Sequence, residues 1–239
     1  VVFSTNSHKT SIINLINIID QDRDGAVSNT ELTMNLMKVR RGEFAAGDLG
    51  LVQAVLTKNS SYNNVQSVIN IFDPDQNGLI SDVEMFVGLI TQRNNNNATI
   101  FIPAVVNTLK TLNPNSTAIE ALINNIDPNN SGTVDYDELV SAYLRINAGT
   151  MLDVSTAIKR MLPGASGLAY GDSAITAETL VDSIDADHNG QVSNLEIANL
   201  IIANRTNNIL SSYAPELVAA IFRTNPNKNE IEALINTLD

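Results

Sequence analysis

An acidic twelve-residue segment recurs four times in this chain, and its spacing constrains the fold more than any other feature. It begins at Asp20, Asp73, Asp127 and Asp185, at intervals of 53, 54 and 58 residues. A longer period lies over the short one. The segment Asp73 to Glu84 returns as Asp185 to Glu196, 112 residues on, and the register then holds. Arg93 returns as Arg205, Pro103 as Pro215, and Asn113-Pro114-Asn115 as Asn225-Pro226-Asn227. Ile119 to Asp127 returns as Ile231 to Asp239. Self-similarity of this length marks an array of like units, none large enough to bury a core alone.

The apolar residues ahead of each segment obey one rule. Counted from the first Asp they stand at −8, −5, −4 and −1. They are Ile12, Leu15, Ile16 and Ile19; Val65, Val68, Ile69 and Phe72; Ile119, Leu122, Ile123 and Ile126; Ala177, Leu180, Val181 and Ile184. The tail repeats the pattern with Ile231, Leu234, Ile235 and Leu238. Steps of three and four place each set on one stripe of a helix. A second helical pattern follows each segment: Leu32/Leu36/Met37, Met85/Leu89/Ile90, Leu139/Tyr143/Leu144 and Ile197/Leu200/Ile201. Each period leaves room for one more helix, expected at 48–57, 100–112, 152–161 and 209–222. Pro103 and Pro215 suit a first turn or a boundary, because proline is tolerated early in a helix. Residues 94–97 and 163–172 read as joints, the second being rich in Gly and Pro. The expected fold is all-α: helix–loop–helix units, each with an added linker helix, paired first with second and third with fourth. The domain limits that follow are 1–112, 113–224 and 225–239, the last being the start of a further, truncated repeat.

Within the acidic segments the oxygen-bearing residues alternate. The first has Asp20, Asp22, Asp24, Ser28 and Glu31, with Gly25 sixth. The second has Asp73, Asp75, Asn77, Ser81 and Glu84, with Gly78 sixth. The third has Asp127, Asn129, Ser131, Asp135 and Glu138, with Gly132 sixth. The fourth has Asp185, Asp187, Asn189, Ser193 and Glu196, with Gly190 sixth. Alternate residues of a tight loop can turn their oxygens toward one point, and a hard cation such as calcium takes six to eight oxygens. A sharp turn at the sixth residue favours Gly. A Glu at the twelfth has the reach to bind through both oxygens.

These segments resemble the EF-hand family of helix–loop–helix calcium-binding proteins. The resemblance implies calcium at four sites. Side chains at positions 1, 3, 5, 9 and 12 would supply oxygens, and the position-7 carbonyls would come from Ala26, Leu79, Thr133 and Gln191. It also implies that the eighth residues, Val27, Ile80, Val134 and Val192, bridge to a partner loop as a short β-ladder. Pro74 and Pro128 at position 2 resemble loops of lanmodulin, a lanthanide-binding protein, but the long spacing here departs from it. His188, at position 4 of the fourth loop, is expected to point into solvent. Loop one offers four carboxylates and the others three, so loop one is expected among the tighter sites and loop three to be the weakest.

Charge agrees with a cation-binding chain. The 26 acids against 14 bases give a net charge of −12, and half of those acids stand at the ligand positions of the four loops. Such a balance opposes nucleic acid and anionic membrane surfaces. The absence of Cys excludes disulfides and thiolate metal sites. No nucleophile motif suggests an enzyme. Two roles for calcium stand open. A structural repeat would be rigidified by the ion and would pack on neighbouring repeats of its own chain. A sensor would expose a groove for a partner helix. Such grooves are often Met-rich, and only Met34, Met37, Met85, Met151 and Met161 are present. The structural role is the expected one. The sequence names no protein partner, and a cytoplasmic or cell-surface setting fits equally.

Overall fold

The computed structural model describes residues 8–94, 101–150 and 171–238. Among the described residues all regular structure is helical. The helices are α1 (Lys9–Ile19), α2 (Asn29–Arg40), α3 (Leu49–Leu56), α4 (Tyr62–Phe72), α5 (Asp82–Asn94) and α6 (Pro103–Thr111). They continue with α7 (Ser116–Ile126), α8 (Tyr136–Asn147), α9 (Gly171–Ile184), α10 (Asn194–Asn207), α11 (Pro215–Thr224) and α12 (Lys228–Leu238). A short 3-10 helix, Ile209–Ser212, stands between α10 and α11. The chain divides into two units, Val1–Glu120 and Ala121–Asp239, with the border inside α7.

Each acidic loop joins an entering helix to an exiting one. The apolar stripe of each entering helix turns inward: Val65, Val68, Ile69 and Phe72 of α4 have no exposed surface. Ala177, Leu180, Val181 and Ile184 of α9 are buried in the same way. The exiting helices bury their own sets, including Leu32, Met37, Met85, Leu139 and Tyr143. Gly88 of α5 lets the pair close, because a Cβ there would meet the Phe72 ring at 2.4 Å.

Within the first unit α3 packs on α1 and α2, and α6 packs on α4. The exiting helix α2 also lies against α4 and α6, the entering and linker helices of the next repeat. The second unit repeats this plan. Its exiting helix α8 lies against α9 and α11, and α10 lies against α12. On α12 the stripe is half covered: Ile235 is buried, while Leu234 and Leu238 are 61% and 80% exposed.

Three expectations about the linkers are refined. Linker α6 begins at Pro103 with proline in its first turn. The segment expected as one helix over 209–222 is two, a 3-10 turn and then α11, because Pro215 starts a new helix after the extended Tyr213 and Ala214. The joint expected at 163–172 ends in helix, since Gly171 opens α9. The linker at 152–161 lies outside the described residues.

The β-bridge expected at position 8 is absent among the described residues. An asparagine takes its place. Asn113 Nδ2 donates to the Ile80 carbonyl at 2.9 Å, and Asn225 Nδ2 to the Val192 carbonyl at 2.8 Å. Asn59 Nδ2 does the same for Val27 at 2.6 Å. Each asparagine sits just after a linker helix, and its Oδ1 accepts the backbone N–H two residues on. This holds the loop's eighth peptide from within its own repeat. A buried peptide carbonyl needs a partner, and the side-chain amide supplies one without a second loop.

Candidate metal centre

The four loops share one backbone course. The fourth residue of each, Arg23, Gln76, Asn130 or His188, has φ between 52° and 61°. The sixth, Gly25, Gly78, Gly132 or Gly190, has φ between 73° and 87°. Two left-handed residues two apart fold the loop back on itself, and glycine takes this conformation at least cost. The sixth N–H then points at the first Asp. Gly25, Gly78, Gly132 and Gly190 donate to Oδ2 of Asp20, Asp73, Asp127 and Asp185 at 3.0–3.1 Å.

Positions 3 and 5 form short turns of their own. Asp22 Oδ1 accepts from Asp24 N–H, and Asp24 Oδ1 from Ala26 N–H. The corresponding bonds join Asp75 to Asn77 and Asn77 to Leu79. They recur through Asn129, Ser131 and Thr133, and through Asp187, Asn189 and Gln191. The ninth and twelfth residues form a capping box at the start of each exiting helix. Ser28, Asp135 and Ser193 accept from the N–H of Glu31, Glu138 and Glu196, and each Glu accepts in return from the cap residue's N–H. Ser81 and Glu84 exchange the same two bonds. Each box anchors the exiting helix at its first turn.

Two carboxylate oxygens show that this donor set suits a cation. Asp20 Oδ1 and Glu138 Oε1 are buried and have no hydrogen-bond partner. They belong to position 1 of loop one and position 12 of loop three. A buried carboxylate oxygen without a donor is costly unless a positive ion completes it. The acids also converge. Oxygens of Asp20, Asp22 and Asp24 lie within 4.8 Å of one another, as do those of Asp73, Asp75 and Glu84, and of Asp185, Asp187 and Glu196.

The family model described as EF hand matches residues 13–37, which run from α1 through the first loop into α2. Over that segment the chain matches an EF hand. No curated protein and no solved structure matches the sequence significantly. The EF-hand match and the three acidic groups support calcium binding.

The four acidic loops differ in how completely their acids gather. In loop one, Glu31 stands outside the Asp20, Asp22 and Asp24 group. Its Oε1 accepts from the Gln21 N–H at 2.6 Å, and its Oε2 from the N–H and hydroxyl of Ser28. In loop three, Asp127, Asp135 and Glu138 form no such group among the described residues, and Asp135 turns to cap α8. The neutral Asn129 and Ser131 take positions 3 and 5 there, with Ser131 Oγ bonded to the Thr133 carbonyl at 2.8 Å. The two glutamates titrate in opposite directions. Burial raises the Glu138 carboxyl above its ordinary value, helped by the charges of Asp135 and Asp127. Burial works on Glu31 as well, but hydrogen bonds from Ser28 and Gln21 outweigh it and hold that carboxyl low. Asp22 receives the Asp24 N–H, which favours its charge, yet desolvation and the charges of Asp24 and Glu31 raise it.

Several residues around the loops carry no mark in the ligand pattern. The capping boxes were readable as Ser or Asp followed three residues later by Glu. Of the asparagines that hold position 8, Asn113 and Asn225 showed only as the recurrent Asn-Pro-Asn, and Asn59 lies in Asn-Ser-Ser. Arg40 and Arg41 stand at the end of α2. In the structure Arg40 Nη1 donates to both the carbonyl and Oδ2 of Asp73 at 2.9 Å. His188 is exposed as expected.

Proposed function

We propose that the chain binds calcium at all four EF-hand loops, and that the ions rigidify a structural repeat module. The ligands would be the side chains of positions 1, 3, 5, 9 and 12 and the position-7 carbonyls, over 20–31, 73–84, 127–138 and 185–196. The four loops would belong to two sequence periods, 1–112 and 113–224, with 225–239 repeating the entering helix. Bound calcium would neutralise carboxylates that otherwise repel one another, and so stabilise the fold by mass action.

One observation carries the structural role over the sensor role. The surface that an EF-hand sensor would open to a partner is already covered in cis, because α2 lies against α4 and α6, and α8 against α9 and α11. The asparagine clasp at position 8 supports the same reading, since it ties loops one, two and four to their own linkers.

Small-angle scattering of the chain with and without calcium, beside binding of an apolar-surface dye, tests the role. A structural module becomes more compact or rigid on calcium and binds no more dye. Calcium-dependent dye binding at unchanged compactness would favour the sensor.

A further inference from the structure

The exiting helix α2 touches two loops. At its N-terminus Glu31 is position 12 of loop one. At its C-terminus two arginines hold loop two and the last turn of α4. Arg40 Nη1 donates to the Asp73 carbonyl and to Asp73 Oδ2, and Nη2 donates to Asn70 Oδ1. Arg41 Nη1 donates to the Gly78 carbonyl at 2.8 Å. The last turn of α2 lies directly on Gly78, where a Cβ would fall 2.7 Å from the Met37 carbonyl and 2.8 Å from the Arg41 nitrogen.

The Arg40 contact falls on position 1 of loop two. Asp73 is fully buried, and the Arg40 side chain is 12% exposed. Asp73 Oδ2 accepts both Arg40 and the Gly78 N–H, while Oδ1 accepts the Asn77 N–H. The guanidinium adds a charged donor from α2 to Oδ2, which also accepts the loop's own Gly78 N–H, while Oδ1 accepts from within the loop. A planar, permanently charged fork that also grips the Asp73 carbonyl sets this geometry more firmly than a point charge would. The second unit has the same contact in neutral form. Asn147, at the end of α8, donates from Nδ2 to Asp185 Oδ2 at 3.1 Å. A Cβ on Gly190 would lie 2.5 Å from the Leu144 carbonyl, so α8 rests on loop four as α2 rests on loop two.

We propose that Arg40 is a positioning residue for the second calcium site, and that through it α2 couples occupancy of loop one to the affinity of loop two. Calcium in loop one draws Glu31 and sets the N-terminal end of α2. A single helix of three turns moves as one rod, so its C-terminal end is set with it. That end carries the guanidinium that orients Asp73. The coupling needs no β-ladder between loops, and none joins them among the described residues. It rests on loops one and two being calcium sites.

The test is a calcium titration of the full chain followed at the amide signals of Gly25 and Gly78, whose N–H groups face Asp20 and Asp73. Glu31→Gln disables loop one. In the natural chain this change should weaken calcium binding at Gly78 by at least about fivefold, the lower end of ordinary coupling between sites. In Arg40→Met the same change should leave the Gly78 midpoint unmoved. Arg40→Lys, which keeps one donor and the charge, should restore part of the effect, and it serves as the comparison should Arg40→Met not fold. A Gly78 midpoint indifferent to Glu31→Gln in the natural chain overturns the coupling, as does equal weakening with and without Arg40. If Gly78 responds and the coupling is missing, only this inference fails. If Gly78 never responds to calcium, the reading of loop two as a calcium site fails with it.

Discussion

At the scale of single residues, two glutamates at the same loop position are prepared differently. Glu138 is buried near Asp127 and Asp135, so its carboxyl holds a proton to higher pH than usual. In the calcium-free fold that protonation is stabilising at low pH, and the contribution is lost as pH rises through the raised value. Above it, the ionised Glu138 is an unfavourable buried charge until a cation arrives. Glu31 has the opposite sign: its hydrogen bonds favour the charge, and that stabilisation is lost only as pH falls through its lowered value. Protons should therefore displace calcium from loop three before loop one on acidification. Following the Gly132 and Gly25 amides at fixed calcium while pH falls checks the order, and simultaneous or reversed loss would contradict it. A second residue-scale prediction concerns Gly88. Gly88→Ala places a methyl group where the Phe72 ring lies, and overpacking of this kind costs about 1–3 kcal/mol. Denaturant unfolding at saturating calcium measures it. A change under about 0.5 kcal/mol, the range of ordinary surface substitutions, would mean that the ring moves aside freely.

At the scale of elements, the first, second and fourth repeats each join a helix pair to a linker that delivers an asparagine to the loop. Asn113→Ala would leave the Ile80 carbonyl without its partner, at a cost of about 1–3 kcal/mol for a buried polar group. Thermal unfolding with and without calcium reads this, and wild-type stability would show that water replaces the amide. The entering and exiting helices were legible in the sequence because their apolar spacing is regular and long. Leu15, Val68 and Ile123 stand buried where that spacing placed them. The loop pattern was legible because metal chemistry dictates residue types at fixed steps. Long-range contacts were not legible. Nothing local to Asn59 says that its amide reaches Val27, 32 residues back. Nothing local to Arg40 says that it reaches Asp73. The break at Pro215 was visible as a possible boundary, but the 3-10 turn before it depends on Asn208, whose left-handed backbone ends α10.

At the scale of the whole molecule, the two units repeat one packing rule: an exiting helix lies against the entering and linker helices of the repeat that follows. None of the described helices is long and apolar enough to cross a membrane. The net charge of −12 is concentrated in the loops, so removing calcium should lower the unfolding temperature and raise its sensitivity to salt. Calorimetric scans in chelator at low and high salt check this, and a salt-independent midpoint would contradict it. The central claim is that the four loops are four calcium sites. Native mass spectrometry of the calcium-saturated chain, beside variants with Glu31, Glu84, Glu138 or Glu196 changed singly to Gln, tests it most directly. The account predicts four bound ions, with each substitution removing the ion of its own loop and Glu31→Gln also weakening loop two. Three ions, with Glu138→Gln leaving the count unchanged, would contradict it and leave loop three as a turn that only caps α8.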